Sequence, residues 1–369
     1  MDVIANAMTN AIDAINTVVW GYILIYGLLA VGIYFSIRLR FLQIFRFREF
    51  IRAVTRTPEK DSQGITPIQA LTTSLASRVG TGNIAGVAVA VYTGGPGALF
   101  WMWIVALLGM ATAYAESALA QLYKVNDHHG LYRGGPAFYI SRGLKSPWAG
   151  AVFSVALLVV FGLVFNAVQA NAISESFSES FGLDRTQVGV ALAVLSGIVI
   201  FGGIRNIARV AEVVVPFMAV AYLGVALWVL VANVDKIPDV LVLIVRSAFG
   251  LDQAAGGLVG GMTAAMLNGV KRGLYSNEAG MGSAPNIAAV AIPSPHHPSS
   301  QGFVQALGVF IDTILICTAT GVMILMSDAQ QPGSGVTGTV LTQHALAYHI
   351  GDHGKDFVAL AVFFFAFTS

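Results

Sequence analysis

"SRVGTGNIAGVA" (residues 77–88) interrupts a long apolar run with two glycines, a hydroxyl and an amide: Gly80, Thr81, Gly82 and Asn83. An arginine, Arg78, stands just before them. A regular helix buried in hydrocarbon should avoid this combination. Glycine lowers the cost of leaving helical geometry, and unwound backbone at membrane depth is tolerated where protein or a water-filled cavity surrounds it. Such a break frees carbonyls that can ligate a cation. It also turns the N–H groups of the next half-helix toward an anion. Close helix packing through small residues is the other reading of the glycines. Asn83 and Thr81 beside them weigh toward a break with a binding role.

The rest of the chain supports a membrane setting. Of 369 residues, 56% are hydrophobic and 11% charged, against roughly 25% charged in soluble domains. So little charge cannot clothe a water-facing surface. The net charge of +1 leaves no basic surplus for nucleic acid. The single cysteine, Cys317, excludes an intramolecular disulfide framework. The first sixteen residues hold no Lys or Arg, so they do not read as a secretory signal with a basic start.

Nine apolar stretches are long enough to span or nearly span a bilayer: 17–37, 67–93, 97–122, 148–174, 187–203, 210–232, 256–275, 302–327 and 355–369. They do not alternate as barrel strands do, so an all-α polytopic membrane protein is expected, one transmembrane domain over 1–369. The ninth stretch breaks off at Ser369 without a polar flank, and further helices are expected beyond it.

Lys and Arg cluster in alternate connections: Arg38 to Lys60, Lys124 to Lys145, Arg205 with Arg209, and Lys271 with Arg272. The positive-inside rule puts these in the cytoplasm and the N-terminus outside, in a cell membrane. The basic, amphipathic "RFREFIRAVTR" (46–56) reads equally as a surface-lying helix or a solvated loop.

A second interruption is expected in the seventh stretch, at Gly256, Gly257, Gly260 and Gly261. Interrupted helices five spans apart mark the substrate site of inverted-repeat transporters. On this reading 67–232 is the first five-helix repeat, and 256–369 is an incomplete second one. The polar "GVKRGLYSNEAGMGSAPN" (269–286) is then a helix end and a gate-forming cytoplasmic connection. It is no phosphate loop, and no such motif occurs elsewhere.

In the fourth stretch Asn166, Gln169 and Asn171 put amides at membrane depth, for interhelical bonding or substrate contact. Arg78, Glu116 and Asp312 are the ionisable groups within spans, and each should face protein. Arg78 and Glu116 suit a structural pair or a gate, while Asp312 could assist cation coupling. The histidines all lie in connections without fixed helical spacing, which argues against a metal site or an intramembrane enzyme.

The strings "SLASRVGTGNIAGVAVAVYTGGPGALFWMW", "GMATAYAESALAQLY", "YRGGPAFYI", "GGIRNIARVAE", "KRGLYSNEAGMGSAPNIAA" and "FFAFTS" resemble the alanine or glycine:cation symporter family. The similarity runs from about residue 17 to the end. It implies a LeuT-like five-plus-five inverted repeat with one extra N-terminal helix, 17–37, truncated here in the eighth core helix. It implies symport of small neutral amino acids with sodium, without covalent chemistry or an organic cofactor. Gly80, Thr81, Gly82 and Asn83 then form the unwound substrate segment, with Gln169, Asn166 and Thr368 lining the pocket. Sodium would be held at Ala76, Val79, Phe365, Thr368 and Ser369. Proton coupling is the alternative, and a channel a more distant one. Partners are the amino-acid substrate and the lipid bilayer.

Overall fold

A computed structural model describes residues 2–56, 64–128, 130–201, 203–251, 258–329 and 335–369. Helices dominate it, and a two-stranded hairpin, Val125–Asn126 with Tyr132–Arg133, is the sole sheet among the described residues. In chain order the helices are α1 (Ile12–Arg38), α2 (Phe47–Thr55), α3 (Pro67–Arg78), α4 (Gly82–Gly94) and α5 (Gly97–Leu122). Then come α6 (Pro136–Gly143), α7 (Pro147–Phe181), α8 (Arg185–Ile200), α9 (Gly203–Ala232) and α10 (Ile237–Ala248). The last are α11 (Leu258–Asn277), α12 (Ala284–Val290), α13 (Ser299–Leu325), α14 (Gly338–Ile350) and α15 (His353–Thr368). Among the described residues, α1, α5, α7, α13 and the Arg209–Ala232 part of α9 are long and apolar enough to cross a membrane.

Packing separates an inner scaffold from a lipid-facing rim. Helix α5 lies at the centre, against α11 and α13, and its Gly97, Met102, Gly109, Met110 and Ala113 are buried. Helix α7 is the opposite case. Its Trp148, Val155, Leu158 and Leu163 point outward, and large apolar side chains in that position suit hydrocarbon as the solvent. The stripe of α7 that turns inward is Gln169, Ala172, Ile173 and Ser176, at helical spacing.

The start of α3 is written in its sequence. Thr66 caps it, accepting from Gln69 N at 3.2 Å, while Gln69 Oε1 accepts from Thr66 N at 3.1 Å. Pro67 occupies the first turn, where its missing N–H costs nothing. At the other end the expected interruption is present. Helix α3 stops at Arg78, Val79 turns off with φ −77° and ψ 83°, and α4 begins only at Gly82.

No break occurs at the second glycine pair. Gly260 and Gly261 lie inside α11, and Gly256 and Gly257 fall outside the described residues. The chain leaves helical geometry instead between α11 and α12, with positive φ at Glu278, Gly280 and Gly282. The segment 269–286, expected to be a helix end and a connection, does hold the end of α11 and the turn into α12, and most of it is buried. Lys271 and Arg272 do not end a helix. They sit within α11, beside Gly269 and Gly273, which pack on Ala98, Trp101, Met102 and Val105 of α5. Both cations are partly buried.

The two broken helices run antiparallel. Helix α3 packs on α12 and α4 packs on α11, so the two breaks meet. Beyond the breaks, Ile65 N donates to Val290 O at 3.1 Å, and Ile292 N donates to Ile65 O at 2.9 Å. The basic 46–56 segment is a helix docked on α13. Its Phe50 is fully buried against Phe303, while Phe47 meets Phe310. Its Arg48, Arg52 and Arg56 stay exposed. Phe50→Ala should lower stability by about 3 kcal/mol, within the usual range for a buried phenylalanine. The check is a thermal melt in detergent, and an unchanged midpoint would mean that α2 is not docked.

Candidate functional site

Where the breaks meet, backbone approaches backbone. A Cβ on Gly82 would lie 3.0 Å from Ser276 Cα and 3.3 Å from a Tyr275 ring carbon. A Cβ on Gly80 would lie 2.5 Å from Ser369 Oγ and 2.9 Å from Gln169 Nε2. Only glycine fits at either place without displacing a neighbour. Gln169 Oε1 accepts from Thr81 N at 3.0 Å, which ties α7 to the break.

Asn83 is fully buried and used at both ends of its amide. Its Oδ1 accepts from Gly80 N at 3.0 Å. Its Nδ2 donates to Asp312 Oδ1 at 2.7 Å and to Asp312 O at 3.1 Å. Ser276 Oγ and Thr313 Oγ1 donate to the other carboxylate oxygen, at 2.9 and 2.7 Å. Asp312 thus joins both breaks to α13. The buried hydroxyls of Thr81 and Tyr275 lie beside one another, and no hydrogen bond of ordinary geometry holds either.

At the end of α15, Ser369 Oγ is 2.9 Å from Ala76 O and 2.9 Å from Phe365 O. One hydroxyl has one proton, so these two carbonyls compete for it. Thr368 Oγ1 turns back to Phe364 O and Phe365 O, at 2.9 and 3.2 Å. Val79, where α3 ends, is fully buried. Carbonyl and hydroxyl oxygens collected in this way suit a hard cation.

On the other side of the breaks lies a second polar layer. Ser77 Oγ donates to the Glu278 carboxylate at 3.0 and 3.2 Å, and Ser283 Oγ also donates to it. These contacts hold Glu278 at φ 54°, a conformation that costs a non-glycine residue roughly 1–3 kcal/mol. Gly280 N donates to Glu116 Oε1 at 3.2 Å. Arg78 does not pair with Glu116. Its Nη1 donates to Gln305 O at 3.1 Å, and Ser74 Oγ donates to the Gln305 side chain.

The profile of the sodium:alanine symporter family matches residues 5–369. The chain belongs to the sodium:alanine symporter family. Relatives within reach of it are numerous. It is 48% identical over 355 residues to a probable sodium/glutamine symporter, GlnT, of Bacillus subtilis, covering 96% of this chain and 73% of that protein. It is also 48% identical over 351 residues to the amino-acid carrier protein AlsT of the same species, covering 95% and 73%. A sodium/proton-dependent alanine carrier protein of Bacillus sp. (strain PS3) is 41% identical over 336 residues, covering 86% and 73%. As a member of this family the chain is an amino-acid transporter and not an enzyme.

For a sodium:alanine symporter family member, what matters is which side chains share one space. Gly80, Thr81, Gly82, Asn83, Gln169 and Ser369 do, with Ala76 and Phe365 supplying carbonyls. Asn166 does not reach the break. It is exposed one turn below Gln169 and donates to Gly162 O of its own helix at 3.0 Å. It does line, with Gln169, Thr368 and Ser369, a cavity of about 630 Å³ beside the site. Asn171 lies on the exposed side of α7. Sequence reading overlooked Tyr275, Ser276 and Glu278. The signal for them was present: "YSNEAGMG" repeats the mixture of glycine and polar residues that betrays the first break.

Proposed function

We propose that the chain is a sodium-coupled symporter of small neutral amino acids, alanine and glycine foremost, working into the cytoplasm. The observation that carries this is the Ser369 hydroxyl between Ala76 O and Phe365 O, beside the glycine break that Gln169 holds. Sodium ligated by Ala76, Val79, Phe365, Thr368 and Ser369 joins α3 to α15. The substrate carboxylate then meets the start of α4 at Gly82, with Thr81, Gln169 and Tyr275 around it. The closeness of Gly82 to Ser276 leaves space for a short side chain only. Asn166 and Thr368 border the pocket from the cavity side.

The antiparallel broken helices favour a LeuT-like five-plus-five inverted repeat after the extra helix α1. The first repeat then covers 67–232, and the second opens near 256. With Lys271 and Arg272 set aside, 13 of the 20 basic residues remain in alternate connections of the sequence, those that include α2 and the hairpin. Those connections are assigned to the cytoplasm, which puts the N-terminus outside.

Uptake of labelled alanine into proteoliposomes of the full-length parent, with and without a sodium gradient, tests the reading. Flux that ignores the gradient would overturn it. Because one relative is named for glutamine, unlabelled glutamine is the informative competitor. Strong competition would replace the short-side-chain assignment. Ser369→Ala should raise the sodium concentration for half-maximal uptake by about tenfold, the equivalent of about 1.4 kcal/mol. An unchanged requirement would remove Ser369 from the cation site.

A further inference from the structure

We propose that Asp312 is the residue that takes up and releases a proton in the transport cycle. This rests on the symport reading above and adds a second coupled ion, at a place separate from the Ser369 cation site. Asp312 sits half way along α13 with no exposure. No ion pair within 4 Å is found for Asp312 among the described residues, and the buried Arg78 acts on it only through space from farther away. A buried, unpaired carboxylate at membrane depth must be neutralised by something. Sodium needs five or six oxygens around an open centre. Here the donors close directly on the carboxylate at 2.7 to 2.9 Å, which leaves no such centre. A proton needs no room.

The surroundings accommodate both forms. Ionised, the carboxylate accepts from Asn83, Ser276 and Thr313. Protonated, it forms an O–H bond on the oxygen facing Ser276 and Thr313. One of those hydroxyls then turns and accepts. The proton comes from water on the outer side and returns to water on the inner side, so no other reactant is involved.

The titratable and charged groups around Asp312 are few. Arg78, on α3, is held by Gln305 O. Glu278, in the second break, is held by Ser77 and Ser283. Cys317, on α13, lies 3.2 Å from Ser276 Oγ and 3.3 Å from Asn83 Nδ2. Tyr275 is on α11, Glu116 on α5, and Tyr222, on α9, bonds Thr320 at 2.7 Å. Asn83 couples the proton to substrate. A hydrogen bond to a carboxylate is about twice as strong as one to a neutral acid. Protonation of Asp312 therefore loosens the amide that also holds Gly80 N.

The test uses the full-length parent in proteoliposomes with an entrapped pH dye. Alanine addition should acidify the lumen at zero sodium gradient. Asp312→Asn should cut the protons moved per alanine at least tenfold. Thr313→Val, which removes one donor from the ionised form, should move the pH midpoint of alanine uptake upward by about one unit. It also keeps the test alive if Asp312→Asn fails to fold. Proton movement that survives in Asp312→Asn overturns the proposal. So does sodium-driven uptake in the parent without proton movement, and that result leaves the symport reading standing. A parent that moves no alanine defeats the symport reading instead.

Discussion

Gly80→Ala is expected to reduce alanine uptake more than a hundredfold while leaving membrane insertion intact. The added Cβ would sit 2.5 Å from Ser369 Oγ and 2.9 Å from Gln169 Nε2. It therefore strikes both parts of the proposed site, the Ser369 hydroxyl and the Gln169 amide, with one methyl group. Moving Ser369 pulls a hydroxyl from between Ala76 O and Phe365 O. Moving Gln169 releases Thr81 N, whose bond keeps the break in shape. Hundredfold corresponds to about 2.8 kcal/mol, well within what a buried backbone clash can impose. Uptake in proteoliposomes at saturating sodium is the measurement. A variant that retains more than a tenth of the parent rate would show that the break has slack the structure does not display.

Asn83→Ala should also abolish uptake. The amide makes one bond to Gly80 N and two to Asp312, across a residue separation of more than 200, and all three vanish together. Leaving a buried polar group unsatisfied costs roughly 1–3 kcal/mol each. Here a carboxylate oxygen of Asp312 is stranded, and Gly80 N is left with its bond to Arg78 O alone. The expected result is a protein that inserts and resists proteolysis as the parent does, yet binds alanine too weakly to saturate. Normal uptake by this variant would reduce Asn83 to a spectator.

The first break was legible because its signal is chemical. Amide, hydroxyl and glycine stand where hydrocarbon surrounds them, and no ordinary helix explains that. The second break carried a similar signal at Ser276 to Ser283, but Lys271 and Arg272 obscured it. A basic pair reads as a helix end facing water, whereas Lys271 and Arg272 stand partly buried within α11. The three amides of α7 show a different limit. Asn166 and Gln169 share a stripe, yet only Gln169 is level with the break. Height along a helix depends on how its neighbours stack, and spacing does not encode that. The extent of the fold was open to reading for a simpler reason. Helix α5 matches its apolar run from Gly97 to Leu122 at both ends, because lipid makes length and hydrophobicity almost sufficient.

The parallel bridge at Ile65 has a mechanical meaning. The stretch before α3 and the stretch after α12 exchange two backbone hydrogen bonds, Ile65 N to Val290 O and Ile292 N to Ile65 O. Gly64 lies so close to Val290 O, 2.6 Å from where its Cβ would be, that no side chain could pry the two apart. The half-helices on that side are therefore yoked. Any movement that swings α3 away from α15 would carry α12 with it, bending at Val79–Thr81 in one broken helix and at 278–283 in the other. The shutter has two leaves but a single bar.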